Sequence, residues 1–433
     1  MASVETLGAL ERRMSMSVPS EEIERQIGER LKKLARNAKM DGFRPGKVPF
    51  KLVQAQYGPQ VRYEVIGDAV QKAFEQAVRE NSLKVAGQPR IEPKQGGDGK
   101  ALEFSATFEV YPEFKSGDVS NAQIERPQVG VGDAEVDKTI EILRKQRATF
   151  HSVERASQPG DRVVVSFDGR IDGEAFAGGQ ATDFALVLGE GRMLPEFETA
   201  ATGMPAGEKR NFTLKFPDDY QAKDVAGKTA SFDLSVSKVE EPRLPALDGA
   251  FATALGVKDG DVAKMRAEVR ANVEREVKKR VTARIKGQAL QALHDATPVD
   301  LPKALIAMET QGLAERARAE LESRGMKLEK MPIDPTAFEV SARRRVALGL
   351  IIAELARAEG LQPKPDQVRK LIEEQAESYE SPAEVVTWFY MQPQRLSEME
   401  GLALEDNVVN WVLSKAKVVD KAVAFDELMG GGT

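Results

Sequence analysis

The sequence of 433 residues contains no cysteine and only two histidines. Without cysteine the chain cannot form disulfide bonds, thiolate nucleophiles or cysteine-ligated zinc, and this composition is typical of a reducing compartment. His151 and His294 are too few for a histidine-based metal site, so we interpret each as a surface or linker residue. We therefore predict no metal site and no cofactor.

Long apolar runs are missing as well. No stretch reaches the roughly eighteen apolar residues of a membrane-spanning helix. Residues 1–13 lack the basic start and apolar core of a secretory signal. These absences predict a cytoplasmic protein with no membrane partner.

Motifs for nucleotide binding are also absent. The chain has no G-x-x-x-x-G-K-[ST] loop, and Gly189-Glu190-Gly191 lacks the third glycine of a dinucleotide-binding loop. We therefore predict that the protein binds no nucleotide and works without ATP.

Positive charge is scarce overall but concentrated in one region. The formal net charge of −6 argues against general affinity for nucleic acid. Residues 20–62 nevertheless hold ten Lys or Arg against five Asp or Glu, a local net charge of +5. This region indicates a surface that meets an anionic partner, and an ordinary solvated face is the alternative interpretation.

Apolar periodicity divides the chain into regions of different character. Residues 1–112 combine strand-like ends with two helical stretches, which predicts an α+β domain. Residues 113–149 indicate a connector with one helix. Residues 150–243 hold four strand patterns around a short helical stretch, with Asp172-Gly173 and Gly178-Gly179 as predicted turns. A small antiparallel sheet folded over one helix is the simplest architecture for this pattern.

Residues 244–433 are dominated by helix-forming residues. Prolines punctuate the pattern, and helices are predicted at 262–285, 302–324, 336–359, 365–379 and 394–417. The apolar stripes are narrow and rich in Ala and Val, which favours open helical arms with apolar-dotted surfaces. Six methionines that could fit irregular partners lie here, at Met265, Met308, Met326, Met331, Met391 and Met399.

The most specific motif is a short loop between the two helical stretches of residues 1–112. Its glycines permit tight backbone turns, its proline stiffens it, and a phenylalanine stands beside two cations. An ordinary exposed turn explains the glycines and the proline but not the phenylalanine. The loop is Gly42-Phe43-Arg44-Pro45-Gly46-Lys47.

This loop closely resembles the docking signature of the trigger factor family, and the resemblance extends over the whole chain. In that family the loop binds the large ribosomal subunit at the tunnel exit, where it contacts a protein and rRNA. The resemblance implies that Phe43 and Arg44 make the main contacts and that Lys47 supports them. Family members often carry a further cation where this chain has Pro45. The resemblance also implies that nascent polypeptides are partners and that the free protein self-associates as a homodimer.

The middle region resembles an FKBP-type prolyl isomerase in the order of four sequence blocks. The alternative is that its aromatic residues are only the core of a small domain. Two departures argue against activity on short peptides and macrolide binding: Ala177 replaces a frequent acidic residue, and Phe197 replaces a tryptophan. The resemblance places the catalytic pocket at Phe167, Phe176, Phe184, Met193, Leu194, Phe197, Tyr220 and Phe232.

We therefore predict an α+β multidomain protein. Its parts are an α+β ribosome-binding domain (1–112), a linker (113–149), an FKBP-like antiparallel sheet over one helix (150–243) and an extended all-α substrate-binding chaperone domain (244–433). The predicted function is that of an ATP-independent chaperone with prolyl isomerase activity. One alternative is a dedicated prolyl isomerase with targeting domains, against which the helical mass argues, and another is an RNA-binding module based on residues 20–62.

Overall fold

The computed structural model describes residues 3–40, 43, 48–94, 101–220, 222–325, 333–377, 379 and 381–430. The chain divides into two compact units. One consists of Met1–Arg126 with Ala283–Asp420, and the other of Pro127–Thr282 with Lys421–Thr433.

The N-terminal part of the first unit is a four-stranded antiparallel sheet packed on two helices. Apolar residues alternate along its strands, and Phe74 meets Phe108 edge to face with ring centroids 5.2 Å apart. The strands follow the order β1-β2-β4-β3. In chain order the elements are β1 (Ser3–Thr6), β2 (Glu11–Pro19), α1 (Ser20–Asn37), α2 (Phe50–Glu80), β3 (Val85–Pro93) and β4 (Ala101–Val110).

Helix α2 is longer than its apolar periodicity predicts. The pattern becomes regular at Val61, but the helix begins at Phe50 and continues through Pro59. Burial of Val53 anchors this first part, and its packing offsets the hydrogen bond that the proline cannot donate. Between β3 and β4 the sequence Gly96-Gly97-Asp98-Gly99 predicts a hairpin turn, and these four residues lie outside the described residues.

The segment that follows supplies β5 (Gln123–Gln128) and α3 (Asp133–Gln146). Gly132 precedes α3, and its backbone N–H donates to a carboxylate oxygen of Glu135 at 2.8 Å. This contact satisfies one donor at the start of the helix.

The middle region of the second unit is an antiparallel sheet with one short helix, as predicted. The sheet has five strands, and the fifth, β6, was not among the four strand patterns predicted. Strand β10 pairs with β7 along most of its length. Strands β9 and β6 also pair with β10, β9 with its first part and β6 with its last part. The elements are β6 (Thr149–Ser152), β7 (Arg162–Ile171), β8 (Glu174–Val187), α4 (Pro195–Ala201), β9 (Lys209–Lys215) and β10 (Thr229–Arg243).

The turn predicted at Gly178-Gly179 is wrong. Both glycines lie within β8. In the pairing of β7 with β8, Arg170 lies opposite Ala175 and Asp168 lies opposite Gln180, so residues 176–179 of β8 form a bulge. Gly178 has a φ of +82°, which glycine adopts without strain. The glycine pair therefore bends a strand and does not reverse the chain.

The remainder of the chain is mostly helical, as predicted, with one short strand that pairs with β5. Prolines stand at the start of three of these helices, where a missing N–H costs no hydrogen bond. The elements are α5 (Gly249–Ala254), α6 (Val262–Ala296), α7 (Lys303–Ser323), α8 (Glu339–Glu359), α9 (Pro365–Ala376), α10 (Pro382–Met391), α11 (Pro393–Lys415), β11 (Lys417–Ala422) and α12 (Phe425–Met429).

Each unit has its own helical core. In the second unit, α3, α5, α12 and the first part of α6 bury a cluster that includes Ile140, Met265 and Leu428. In the first unit, the last part of α6 packs with α8 and α11 around Leu293, Leu355 and other fully buried residues. The predicted fold class, an α+β multidomain protein with a helical C-terminal region, is confirmed.

Candidate active site

The centre of the middle region is a cluster of phenylalanine rings. Phe197 of α4 and Phe232 of β10 form its floor, with exposed fractions of 1% and 5%. Their rings meet edge to face at 5.8 Å, and Phe167 of β7 lies 5.2 Å from Phe197 and 6.1 Å from Phe232. Three elements that are distant in sequence therefore build one apolar surface.

Partly buried side chains surround this floor. Phe176, in the β8 bulge, places its ring 6.2 Å from Phe232, and Met193 and Leu194 pack against the same core. Phe184 is 41% exposed and contacts Phe167 at 6.3 Å. The structure therefore brings these predicted positions together as floor, walls and open rim.

Tyr220 joins the cluster less directly. Its ring, 38% exposed, packs at 4.9 Å on Phe216. Phe216 in turn lies 5.8 Å from Phe176. Tyr220 thus extends the rim and is connected to the floor through an intervening ring.

Sequence reasoning missed two members of this cluster. Phe212 stacks on Phe232 with centroids 5.6 Å apart and an interplanar angle of 16°, because the two residues are directly opposed in the pairing of β9 with β10. Phe216, which links Phe176 to Tyr220, is 5% exposed. A period-two stripe through Phe212, Leu214 and Phe216 was the signal that could have identified both.

The backbone at Leu194 leaves one donor available beside the rings. Its carbonyl accepts the N–H groups of Phe197 at 2.8 Å and Glu198 at 3.1 Å, at the start of α4. Within the described part of the chain, its own N–H has no hydrogen-bond acceptor. An N–H without an acceptor, on a partly buried residue, can hold a carbonyl that enters the apolar surface.

A charged group, Asp168, directly follows Phe167 in the sequence. It accepts hydrogen bonds from Arg170 at 2.9 Å and Gln180 at 2.7 Å. These bonds, that from Arg170 first, lower the pKa of Asp168 below its ordinary value. Because the carboxylate is held in its charged form, it is a poor proton donor at neutral pH.

The predicted docking loop lies between α1 and α2. Phe43 is 42% exposed, and its N–H donates to the carbonyl of Met40 at 3.1 Å. Two further apolar side chains that follow the loop in sequence, Phe50 and Leu52, are about equally exposed and were not predicted. The other predicted loop residues, Gly42, Arg44, Pro45, Gly46 and Lys47, lie outside the described residues.

The helical region exposes several large apolar side chains. Met308 is 62% exposed, Val340 82% and Met391 77%, whereas Met265 and Met399 are buried. Met326 and Met331 lie outside the described residues. The methionines therefore serve both the cores and the surface.

Comparison with protein families matches three long stretches of this chain. A family model described as bacterial trigger factor protein matches residues 1–143, and one for the trigger factor C-terminus matches residues 261–414. A model for FKBP-type peptidyl-prolyl cis-trans isomerase matches residues 153–237. A trigger factor from Aromatoleum aromaticum is 56% identical over 426 residues, covering 98% of both chains.

The chain belongs to the trigger factor family. A trigger factor from an Azoarcus species is 54% identical over 97% of this chain and 96% of its own length. A trigger factor from Nitrosospira multiformis is also 54% identical, over 99% of both chains. A solved trigger factor chaperone chain is 17% identical, with a TM-score of 0.46, and covers 95% of this chain and 99% of its own. Similarity at that level is too low to establish a common arrangement.

As a trigger factor family member, the protein is a chaperone with an FKBP-type peptidyl-prolyl isomerase domain. The match at residues 153–237 contains the whole phenylalanine cluster. Across the described ranges, no group of three His, Cys, Asp or Glu side chains is arranged to hold a metal ion. No helix among the described residues is long and apolar enough to cross a membrane.

Proposed function

We propose that this trigger factor family member docks at the ribosomal tunnel exit, binds nascent unfolded chains without ATP and isomerises their X-Pro bonds in the cytoplasm. The observation that carries the proposal is the phenylalanine cluster, with its buried floor, open rim and adjacent free N–H. Docking and client binding rest on the exposed Phe43 and on the exposed apolar side chains of the helices.

The cluster suits amide rotation because this reaction needs no proton transfer. The barrier of about 18–20 kcal/mol comes from resonance in the planar C–N bond, and the twisted amide is less polar than the planar one. A water-poor aromatic surface favours the twisted form, and the Leu194 N–H can hold the carbonyl of the residue before proline. Each ~1.4 kcal/mol removed from the barrier accelerates rotation tenfold.

We assign the catalytic surface to Phe167, Phe176, Phe184, Met193, Leu194, Phe197, Tyr220 and Phe232. The rim offers the cleanest test, because Phe184 is exposed and its removal leaves the floor intact. Phe184→Ala in the full chain should slow catalysis of a proline-limited refolding reaction about tenfold. Tyr111→Ala, which removes an equally exposed aromatic ring of the other unit, should leave the rate unchanged. Equal rates for both variants and the unmodified chain would contradict the assignment.

We assign docking to the loop of residues 42–47, with Phe43 and Arg44 as the main contacts. Phe43→Ala/Arg44→Ala should abolish co-sedimentation with ribosomes because it removes an apolar and a charged contact together. Tyr111→Ala/Lys84→Ala is the matched control, since it removes an exposed aromatic ring and a cation elsewhere in the same unit. Undiminished co-sedimentation of the folded loop variant would refute this assignment.

We assign client binding to the helical region, where Met308, Val340 and Met391 are exposed. Replacing all three with Ser removes apolar contact area from the surface and leaves the buried cores unchanged. The variant should lose suppression of client aggregation while it retains ribosome docking and isomerisation. If the unmodified chain itself does not suppress aggregation, the dedicated prolyl isomerase is the better account.

These assignments correspond to four functional regions: 1–112 for docking, 113–149 as linker, 150–243 for isomerisation and 244–433 for clients. We also propose that the free protein forms a homodimer. Sedimentation velocity over a range of concentrations tests this, and a single monomeric species throughout would contradict it.

A further inference from the structure

A carboxylate on α4 holds both ends of the segment that leads into the wall of the phenylalanine cluster at Met193 and Leu194. Glu198 accepts the N–H of Gly189 on Oε2 at 2.9 Å and the N–H of Met193 on Oε1 at 3.3 Å. Each carboxylate oxygen therefore binds one end of the five-residue segment 189–193, immediately before Leu194. Hydrogen bonds to a charged acceptor are stronger than bonds between neutral groups.

Among the described residues, the other polar contact of this segment is an exposed ion pair between Arg192 and Glu190 at 3.3 Å. Gly189 and Gly191 have φ values of +89° and +67°, a conformation that glycine leaves readily in favour of others. Residues 189–192 are exposed, and only Met193 and Leu194 pack against the core. The position of the free Leu194 N–H therefore depends on how firmly the preceding residues are held.

Glu198 itself is well fixed. Its N–H donates to the Leu194 carbonyl at 3.1 Å, and its own carbonyl accepts the Thr202 N–H at 3.0 Å and the Thr202 hydroxyl at 2.7 Å. The side chain thus acts from a hydrogen-bonded helix on an exposed segment that contains two glycines. This is the arrangement by which a supporting residue sets the geometry of a catalytic group.

We propose that Glu198 is a positioning residue of the isomerase site, which holds Met193 and the Leu194 N–H in place for the twisting amide. The inference rests on the proposed catalytic surface. A carboxylate has two oxygens and can accept both N–H groups. A glutamine amide has one acceptor oxygen and presents an NH₂ donor to the other N–H, so Gln fills the space of Glu without making both hydrogen bonds.

The test compares Glu198→Gln, Glu198→Ala and the control Glu196→Gln in the full chain. Glu196 is an exposed carboxylate in the first turn of the same helix. We expect kcat for proline-limited refolding to fall about tenfold in Glu198→Ala and less in Glu198→Gln, which keeps one acceptor, with a smaller change in KM. The control should match the unmodified chain.

Hydrogen exchange separates positioning from general stability. The amides of Gly189 and Met193 should exchange faster in both Glu198 variants, while those of β10 remain protected. Unchanged kcat in Glu198→Gln, or an equal loss of protection in β10, would overturn the proposal. If Glu198→Ala does not fold, Glu198→Gln decides alone. Loss of activity in Phe184→Ala with none in the Glu198 variants would refute this inference and leave the catalytic surface standing.

Discussion

Gly169 of β7 provides the sharpest test of how the proposed catalytic surface is built. It lies directly opposite Phe232 in the β7–β10 pairing, and a Cβ added there would come within 2.4 Å of ring atom Cε1 and 2.7 Å of Cζ. Carbon atoms pack favourably at about 3.5–4.0 Å, so Gly169→Ala forces the ring to retreat by about 1 Å. Phe232 cannot retreat freely, because Phe167, Phe176 and Phe212 surround it.

The expected cost follows from overpacking of a close-packed core. We expect Gly169→Ala to destabilise the isomerase region by about 2 kcal/mol and to slow catalysis about tenfold, since a displacement of this size misplaces the floor of the site. Phe232→Leu should cost about 1 kcal/mol as a large-to-small change. The double variant should cost less than the sum by about 1 kcal/mol, because the smaller side chain makes room for the new Cβ.

Hydrogen exchange of the β7 and β10 amides in the full chain measures these stabilities, and proline-limited refolding measures activity. Trp388 and Trp411 are the only tryptophans and lie outside the isomerase region, so their fluorescence reports whether the other unit is unaffected. Unchanged stability and activity in Gly169→Ala, or strict additivity in the double variant, would refute the packing argument.

Three further changes test other parts of the structure. Gly117→Ala should strongly destabilise the first unit, since its Cβ would lie 1.8 Å from the carbonyl oxygen of Ala296, and an unchanged melting temperature would contradict this contact. Gly67→Ala should instead stabilise that unit by about 0.5–1 kcal/mol, because Gly67 is exposed within α2 with open space around it, and a lower unfolding midpoint would be inconsistent. Asp168→Asn should reduce stability at neutral pH, because the hydrogen bond from Arg170 lowers the pKa of Asp168 in the folded state. The stability that the ionised Asp168 contributes is therefore complete above its unfolded-state pKa of about 3.9 and is lost as pH falls below that value. The free energies of unfolding of Asp168→Asn and the unmodified chain, measured between pH 2 and 7, should converge at the acid end. A difference that stays constant over this range would argue against the link between Asp168 ionisation and stability.

Local patterns in the sequence predicted much of the fold. Ile23, Ile27 and Leu31 recur on one face of α1, and all three are buried. Alternation through Phe104, Ala106 and Phe108 marked β4 in the same way. These patterns are informative because an element that packs on a core must repeat its apolar residues with its own period. Helix α10 was missed because Val, Trp, Phe and Tyr are weak helix formers and because Pro382 and Pro393 suggested a break.

The sequence by itself determined the fold class and the family, and it predicted the pocket positions that we propose, since blocks of adjacent residues carry that information. The tertiary structure alone decided which side chains meet. The β9–β10 register placed Phe212 on Phe232, the β8 bulge placed Phe176 beside the same ring, and α4 brought the carboxylate of Glu198 to the Gly189 N–H. Each of these contacts depends on strand register or on the position of a helix relative to a loop. A shift of one residue would reverse the face that a strand side chain occupies, and such long-range geometry leaves no periodic trace in the local sequence.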